Sequence, residues 1–343
     1  MNPFYTPDIP LAVGIAGWVA EMVFVLIALI YPAYTRPAIL VIGLLLAVPC
    51  FVAEAPLWRC LLMCLSFLAI VIATVATMTP PGSFTERLAY LCSWCGTRDL
   101  CRVERRFDTA SLIQFALAAV ALFAAIAVVK AMPDTGICLL VRWLAGGIMI
   151  FAFAETATAC HNFLTALTGV TAPAWLWSPY LSTSLREFWT TRWNPATSML
   201  FLKLCYEPLS RYGAVFALCV CFVLSGIIHM LLALMALGRW DLSIMFGAFF
   251  IAQIPFVLME RPFHLRRWPS VWKRIWTLSV LAFTCPLFVE PMLQIIQPSW
   301  GPPNVILPPT LCVLGLVFIA DLCYVLISLA CCPGAAANEQ FAV

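Results

Sequence analysis

Charge is what this sequence has least of. Asp, Glu, Lys and Arg make up 10% of its 343 residues, while 64% are apolar. A soluble domain carries about 25% charged and 45–50% apolar residues. The mean hydropathy of +0.99 is that of a chain built to sit in lipid. Length therefore says little about domain count, and no stretch reads as a separate soluble domain. Histidine is nearly missing, with three in the chain. There is no phosphate-cradling glycine loop, no Gly-x-Ser-x-Gly elbow and no His-Glu-x-x-His pair, so the common hydrolase routes lack support. There is no repeat of solenoid length and no low-complexity tail.

Cysteine is not scarce: there are sixteen. Most lie inside apolar runs, where they act as small hydrophobes. Cys92, Cys95 and Cys101 form the one local cluster. Zinc needs four ligands, and no nearby histidine supplies the last, so no metal site is expected. Cys331-Cys332 follows the final apolar run, a position open to palmitoylation.

The apolar runs read as about nine spans. They are Leu11–Tyr31, Ala38–Ala53, Leu57–Met78, Ala110–Ala131, Gly136–Ala157, Gly213–Leu237, Leu242–Met259, Ile275–Leu293 and Val305–Cys331. The expected fold class is an all-α polytopic membrane protein with added interfacial helices. No Lys or Arg precedes Leu11, which fits a span and not a cleaved signal peptide. Between Cys160 and Tyr212 no clean span is expected. Pro173, Pro179 and Pro195 interrupt that stretch, and it reads as an interfacial region of short helices. The loops 83–108, 161–212 and 261–274, with Arg36, hold 15 of the 19 Lys+Arg. Placing them in the cytosol satisfies the positive-inside bias, with the N-terminus lumenal and the C-terminus cytosolic. Such loops meet anionic lipid and need no nucleic-acid partner.

Two places carry chemistry. The first is Ser184-Leu185-Arg186-Glu187-Phe188-Trp189-Thr190-Thr191-Arg192-Trp193-Asn194-Pro195. Read as an α-helix, it puts Phe188, Trp189 and Trp193 on one face. That suits an interfacial helix with an aromatic belt and flanking arginines. The second is His229, about 16 residues past Gly213, or roughly 24 Å along an ideal helix. An ionisable group at membrane depth is a functional candidate by default; the plain alternative is a neutral histidine bonded to a neighbouring helix. Ser225 and Gly226, one turn earlier, leave room for a second backbone or a slender ligand. His161 and His264 sit at span edges, where histidine is ordinary. Glu260 beside Arg261 reads as a helix-end ion pair. Glu21, Arg142, Glu155 and Asp321 read as single, separated charges in the spans.

Tyr180 to Asn194, read with Arg186-Glu187-Phe188-Trp189 and Arg192-Trp193-Asn194, resembles the signature of the wax synthases. These are a branch of the membrane-bound O-acyltransferases (MBOAT). The Phe-Trp-x-x-x-Trp-Asn core is also similar to the aromatic motif of sterol and diacylglycerol acyltransferases. Leu224-Ser225-Gly226-Ile227-Ile228-His229 follows at the family's distance, and the resemblance spans Pro179 to Phe263. It implies an MBOAT-like core at 161–343 behind N-terminal transmembrane helices at 1–160. It further implies transfer of an acyl group from acyl-CoA, a co-substrate and not a bound cofactor, to a lipophilic alcohol. The family's pattern makes His229 the base and Asn194 its polar partner. It places Arg186, Phe188, Trp189, Arg192 and Trp193 around the acyl-CoA. Two departures stand out. Met230 follows the histidine where many relatives have Glu, and Thr190-Thr191-Arg192 replaces a common Gly-Arg-Arg.

The chemistry is consistent with those residue types. A desolvated neutral imidazole can take an alcohol's proton, and an amide can donate to a developing oxyanion. Two acceptor classes fit the branch. Fungal wax-synthase-like enzymes acetylate terpenoid or meroterpenoid secondary metabolites, and the Arg-Glu-Phe-Trp wording leans that way; wax ester synthases join fatty acyl groups to long-chain alcohols. The expected membrane is the endoplasmic reticulum. The non-enzymatic alternative is a multi-span carrier or lipid-binding protein.

Overall fold

The structure is a computed structural model. It describes residues 8–31, 38, 41–43, 51–53, 55–78, 101–102, 104–171 and 176–300. Seven long helices organise them. They are α1 (Leu11–Ile30), α2 (Pro56–Met78), α3 (Thr109–Ala131), α4 (Gly136–Thr168), α5 (Ala214–Leu237), α6 (Trp240–Met259) and α7 (Ser270–Ile296). Among the described residues six of these, all but α2, are long and apolar enough to cross a membrane. The chain is an all-α polytopic membrane protein. The expected span Val305–Cys331, most of Ala38–Ala53, and the positions Cys92, Cys95, Asp321, Cys331 and Cys332 lie outside the described residues.

The helices form because their interiors are apolar and their backbone groups must pair internally in lipid. Local signals set the ends. The Asp108 side chain accepts from the Ser111 N–H at the start of α3. Gly169 and Gly238, at φ 73° and 66°, close α4 and α5 in the left-handed region, where a Cβ would be strained. Apolar side chains such as Leu117, Val120 and Phe283 stay more than 60% exposed, facing outward as lipid contacts must.

Antiparallel neighbours pair as α3–α4 and α5–α6, and α7 touches α2, α4, α5 and α6. Leu122, Ile126 and Val129 of α3 pack with Met149 and Ala152 of α4 and with Val289 and Leu293 of α7. Where α5 crosses α6, Gly226 faces Gly247. A Cβ on either glycine would lie 2.8 Å from the other's carbonyl oxygen. The small residues before His229 thus admit a second backbone, as small-residue crossings in membranes do.

Three expectations are corrected here. Helix α4 does not end near Ala157. It runs through Cys160 and His161 to Thr168, because nothing in that stretch breaks it, and His161 is buried within it. At 33 residues it is roughly 50 Å long, beyond the bilayer core. The irregular region starts only at Gly169. Its entrance is tied by a two-residue antiparallel pair, Cys101–Arg102 with Val170–Thr171. Arg142 and Glu155 are not isolated charges. Arg142 pairs with Glu290 at 3.4 Å and donates to Gln297 at 3.0 Å, while Glu155 accepts from Gln114. All three partners lie outside α4, on α3, on α7 and just past the end of α7, so sequence distance hid them.

Candidate active site

The stretch expected to be one interfacial α-helix is built differently. Leu185–Glu187 makes a single α turn, and Phe188–Arg192 continues as a π turn. The Trp193 N–H donates to the Phe188 carbonyl at 2.8 Å, five residues back. That wider turn sets Phe188 directly over Trp193, stacked at 5.6 Å and 13°. The three rings therefore do not share one face. Trp193 stacks on Phe151 of α4 at 6.2 Å. Trp189 meets Phe188 edge-on at 4.9 Å and reaches on to Phe222 of α5 and Phe249 and Phe250 of α6, at 5.7 to 6.1 Å. π turns inside helices often mark functional sites.

Side chains of the same stretch hold this shape. The Ser184 hydroxyl accepts from the Glu187 N–H at 2.9 Å. Glu187 accepts from the Thr183 N–H and hydroxyl at 2.8 and 2.6 Å, and pairs with the Arg192 Nε at 2.5 Å. Burial pushes the Glu187 carboxyl up, but Thr183 and the Arg192 guanidinium outweigh it and hold the carboxyl below its ordinary value. Arg192 also donates through Nη1 to the Trp177 and Ser178 carbonyls at 3.0 and 3.3 Å. Arg192 is thus a tie across the base of the segment, while Arg186 is exposed. Asn194 sits at φ 47°, and its Oδ1 caps the next helix by accepting from the Thr197 N–H at 3.2 Å.

Glu260, at the end of α6, was expected to pair with Arg261. Instead its Oε1 accepts the buried Leu185 N–H. Burial raises this carboxyl above its ordinary value, against the pull of that N–H and of the Arg186 charge. The expectation failed because the partner lies seventy-five residues away.

His229 lies within α5, half-buried. Its Nδ1 is 2.8 Å from the Ser225 carbonyl one turn below. A carbonyl can only accept, so Nδ1 carries the hydrogen and Nε2 keeps its lone pair in the neutral ring. The imidazole stacks on Phe250 at 4.0 Å and meets the edge of Phe246 at 5.3 Å. Phe250 thus carries His229 on one side and Trp189 on another, which joins the two sequence motifs. Among the described residues no contact joins Asn194 to His229. Gln253, a polar residue the sequence places within a span, lies on the same helix α6 as Phe250. Gln253, fully buried, donates to Thr284 of α7 at 3.0 Å and leaves its Oε1 without a partner, as is the buried Trp189 Nε1. Phe246, Phe249, Phe250 and Gln253 recur at helical spacing, and that recurrence was the available signal.

Residues 172–251 match the model of the membrane bound O-acyl transferase family. The chain is also similar to three proteins of Arabidopsis thaliana. It is 26% identical to a probable long-chain-alcohol O-fatty-acyltransferase 7 over 33% of this chain and 37% of that protein. A probable long-chain-alcohol O-fatty-acyltransferase 2 is 29% identical over 32% of this chain and 34% of that protein. A probable long-chain-alcohol O-fatty-acyltransferase 6 is 27% identical over 35% and 38%. The matches span little more than a third of the length of these relatives.

Proposed function

We propose that this chain, whose residues 172–251 match the model of the membrane bound O-acyl transferase family, moves an acyl group from acyl-CoA to a hydroxyl of a lipophilic acceptor. The observation that carries the reading is the oriented imidazole. His229 has its Nδ1 hydrogen spent on Ser225 and its Nε2 lone pair free, and it rests on the ring that also receives Trp189. In this reading Nε2 takes the alcohol's proton as the oxygen attacks the thioester carbonyl. The tetrahedral adduct then expels the CoA thiolate, which recovers that proton from the imidazolium. The ester and free CoA leave, and no covalent enzyme intermediate is needed. General base catalysis of this kind contributes about 10²–10⁴ in rate.

The remaining assignments follow. Phe188, Trp189 and Trp193 line the path of the acyl donor. Asn194 keeps its Nδ2 as an amide donor after its Oδ1 has capped Thr197. Arg186 meets the donor's phosphates, with Arg192 bracing the segment beneath. The acyltransferase core lies at 161–343 and the N-terminal helices at 1–160, in the endoplasmic reticulum membrane with the basic loops cytosolic. One donor is acetyl-CoA, with a terpenoid or meroterpenoid acceptor. A long-chain alcohol with a fatty acyl donor is the second reading, and the names of the plant relatives favour it. Purified protein in lipid, given radiolabelled acetyl-CoA or palmitoyl-CoA with a long-chain or a terpenoid alcohol, should form the labelled ester. Failure with every pair would leave a carrier or lipid-binding protein.

A further inference from the structure

Glu260 is the one described carboxylate that reaches from the α5–α6 hairpin to the aromatic segment. It ends α6, ten residues or roughly 15 Å along the helix from Phe250. The first turn of Leu185–Glu187 has three N–H groups with no partner inside the helix. Ser184 takes the one on Glu187, and Glu260 takes the one on Leu185. Leu185 is fully buried, against Val257 and Val280, so its N–H has no water to fall back on. The segment is therefore pinned to α6 at two heights. Glu260 fixes one end, and the Trp189 ring between Phe249 and Phe250 fixes the other.

We propose that Glu260 is a positioning residue for acyl transfer: its carboxylate seats the Leu185–Glu187 turn on the end of α6 and so sets Trp189 against Phe250, the ring beneath His229. The inference rests on the acyl-transfer reading. Glu260 touches neither the imidazole nor the rings proposed to line the donor's course. Its effect passes through the Leu185 backbone N–H, so the side chain must be an acceptor of the right length. Glutamine keeps one acceptor oxygen at that length, aspartate falls a methylene short, and alanine offers none.

Two measurements on the purified full chain in lipid test it together. The first is site-resolved hydrogen exchange at Leu185. The second is kcat and KM for acetyl-CoA and palmitoyl-CoA with hexadecanol, per mole of folded protein. Glu260→Ala should speed exchange at that amide by about tenfold or more, the scale of losing a hydrogen bond to a charged group. Exchange at His229 should stay at the wild-type rate. The same variant should lower kcat/KM for the donor by about tenfold while KM for hexadecanol holds, and Glu260→Gln should recover most of both effects. Unchanged amide exchange in Glu260→Ala overturns the inference. So does opened exchange with wild-type kcat and KM, or a glutamine variant no better than alanine. If the alanine variant does not fold, Glu260→Gln against Glu260→Asp decides it by the same readouts, with Asp the impaired one. A wild-type protein that transfers no acyl group, yet shows the exchange pattern, overturns the acyl-transfer reading and leaves the seating role of Glu260 standing.

Discussion

At the scale of single residues, His229 and Arg192 separate chemistry from support. His229→Ala removes the proposed proton acceptor and leaves the surrounding rings in place. The expected result is a fall in kcat by about 10²–10⁴ with little change in KM. Steady-state kinetics on the membrane-inserted variant checks this, and retention of more than about a tenth of turnover would rule His229 out as the base. Arg192 has its Nε on Glu187 and its Nη1 on two carbonyls. Arg192→Ala should raise KM for the acyl donor more than it lowers kcat, because the segment that lines the donor path loosens. Arg192→Lys should not rescue it, since a point charge cannot copy that fork. A donor KM equal to wild type would confine Arg192 to anchoring the fold. The Glu187 partner gives a pH signature. Its folded pKa lies below the ordinary 4.5, so its contribution is complete above the unfolded value and disappears as pH falls through the folded one. The difference in unfolding temperature between wild type and Glu187→Gln should therefore shrink only in acid, below about pH 4.5. A difference that is constant down to strongly acid pH would contradict the ion pair.

At the scale of elements, the α5–α6 crossing decides where His229 points. Gly226 lies three residues before it and meets Gly247 backbone to backbone. Gly226→Val puts a Cβ 2.8 Å from the Gly247 carbonyl oxygen, with two further methyls beyond it, and the helices must part. Overpacking of this kind costs about 1–3 kcal/mol. It should also slip Phe250 from under the imidazole, 4.0 Å away. The expected outcome is a lower melting temperature in detergent, together with lost turnover. Wild-type stability and turnover in Gly226→Val would mean the crossing has slack. The π turn at Phe188–Arg192 is the second decisive element. Its extra residue per turn stacks Phe188 on Trp193 and leaves Trp189, edge-on to Phe188 at 4.9 Å, to meet the α5 and α6 rings, so one short segment serves two sets of rings.

At the scale of the whole molecule, contacts between helix ends agree with the alternation expected from charge. The start of α4 meets the end of α7 through Arg142, Glu290 and Gln297. Arg59, near the start of α2, donates to the Ala236 carbonyl near the end of α5. The end of α6 meets the aromatic segment through Glu260. The first two pairs belong to one side and the third to the other. Glycosylation tags should be modified within 294–304 and remain unmodified within 261–274. The reverse pattern would move the acyl-CoA entrance to the lumenal face.

The sequence by itself determined the solvent and the class, and it marked the candidate site. Scarce charge and long apolar runs dictate helices in lipid, because a backbone there must satisfy its own hydrogen bonds. The aromatic segment and His229 stand out because rings, arginines and an imidazole are conspicuous against grease. The spacing Ser184-x-x-Glu187 even signals a helix start. What tertiary structure decided is how these parts meet. The π turn, the stacking of His229 on Phe250, the reach of Glu260 to Leu185 and the pairing of Arg142 with Glu290 join residues far apart in the chain or alter the period between near ones. Local propensity carries no information about a partner seventy-five or more residues away. The need of each buried N–H, carboxylate and guanidinium for a partner selects these contacts once the helices have packed.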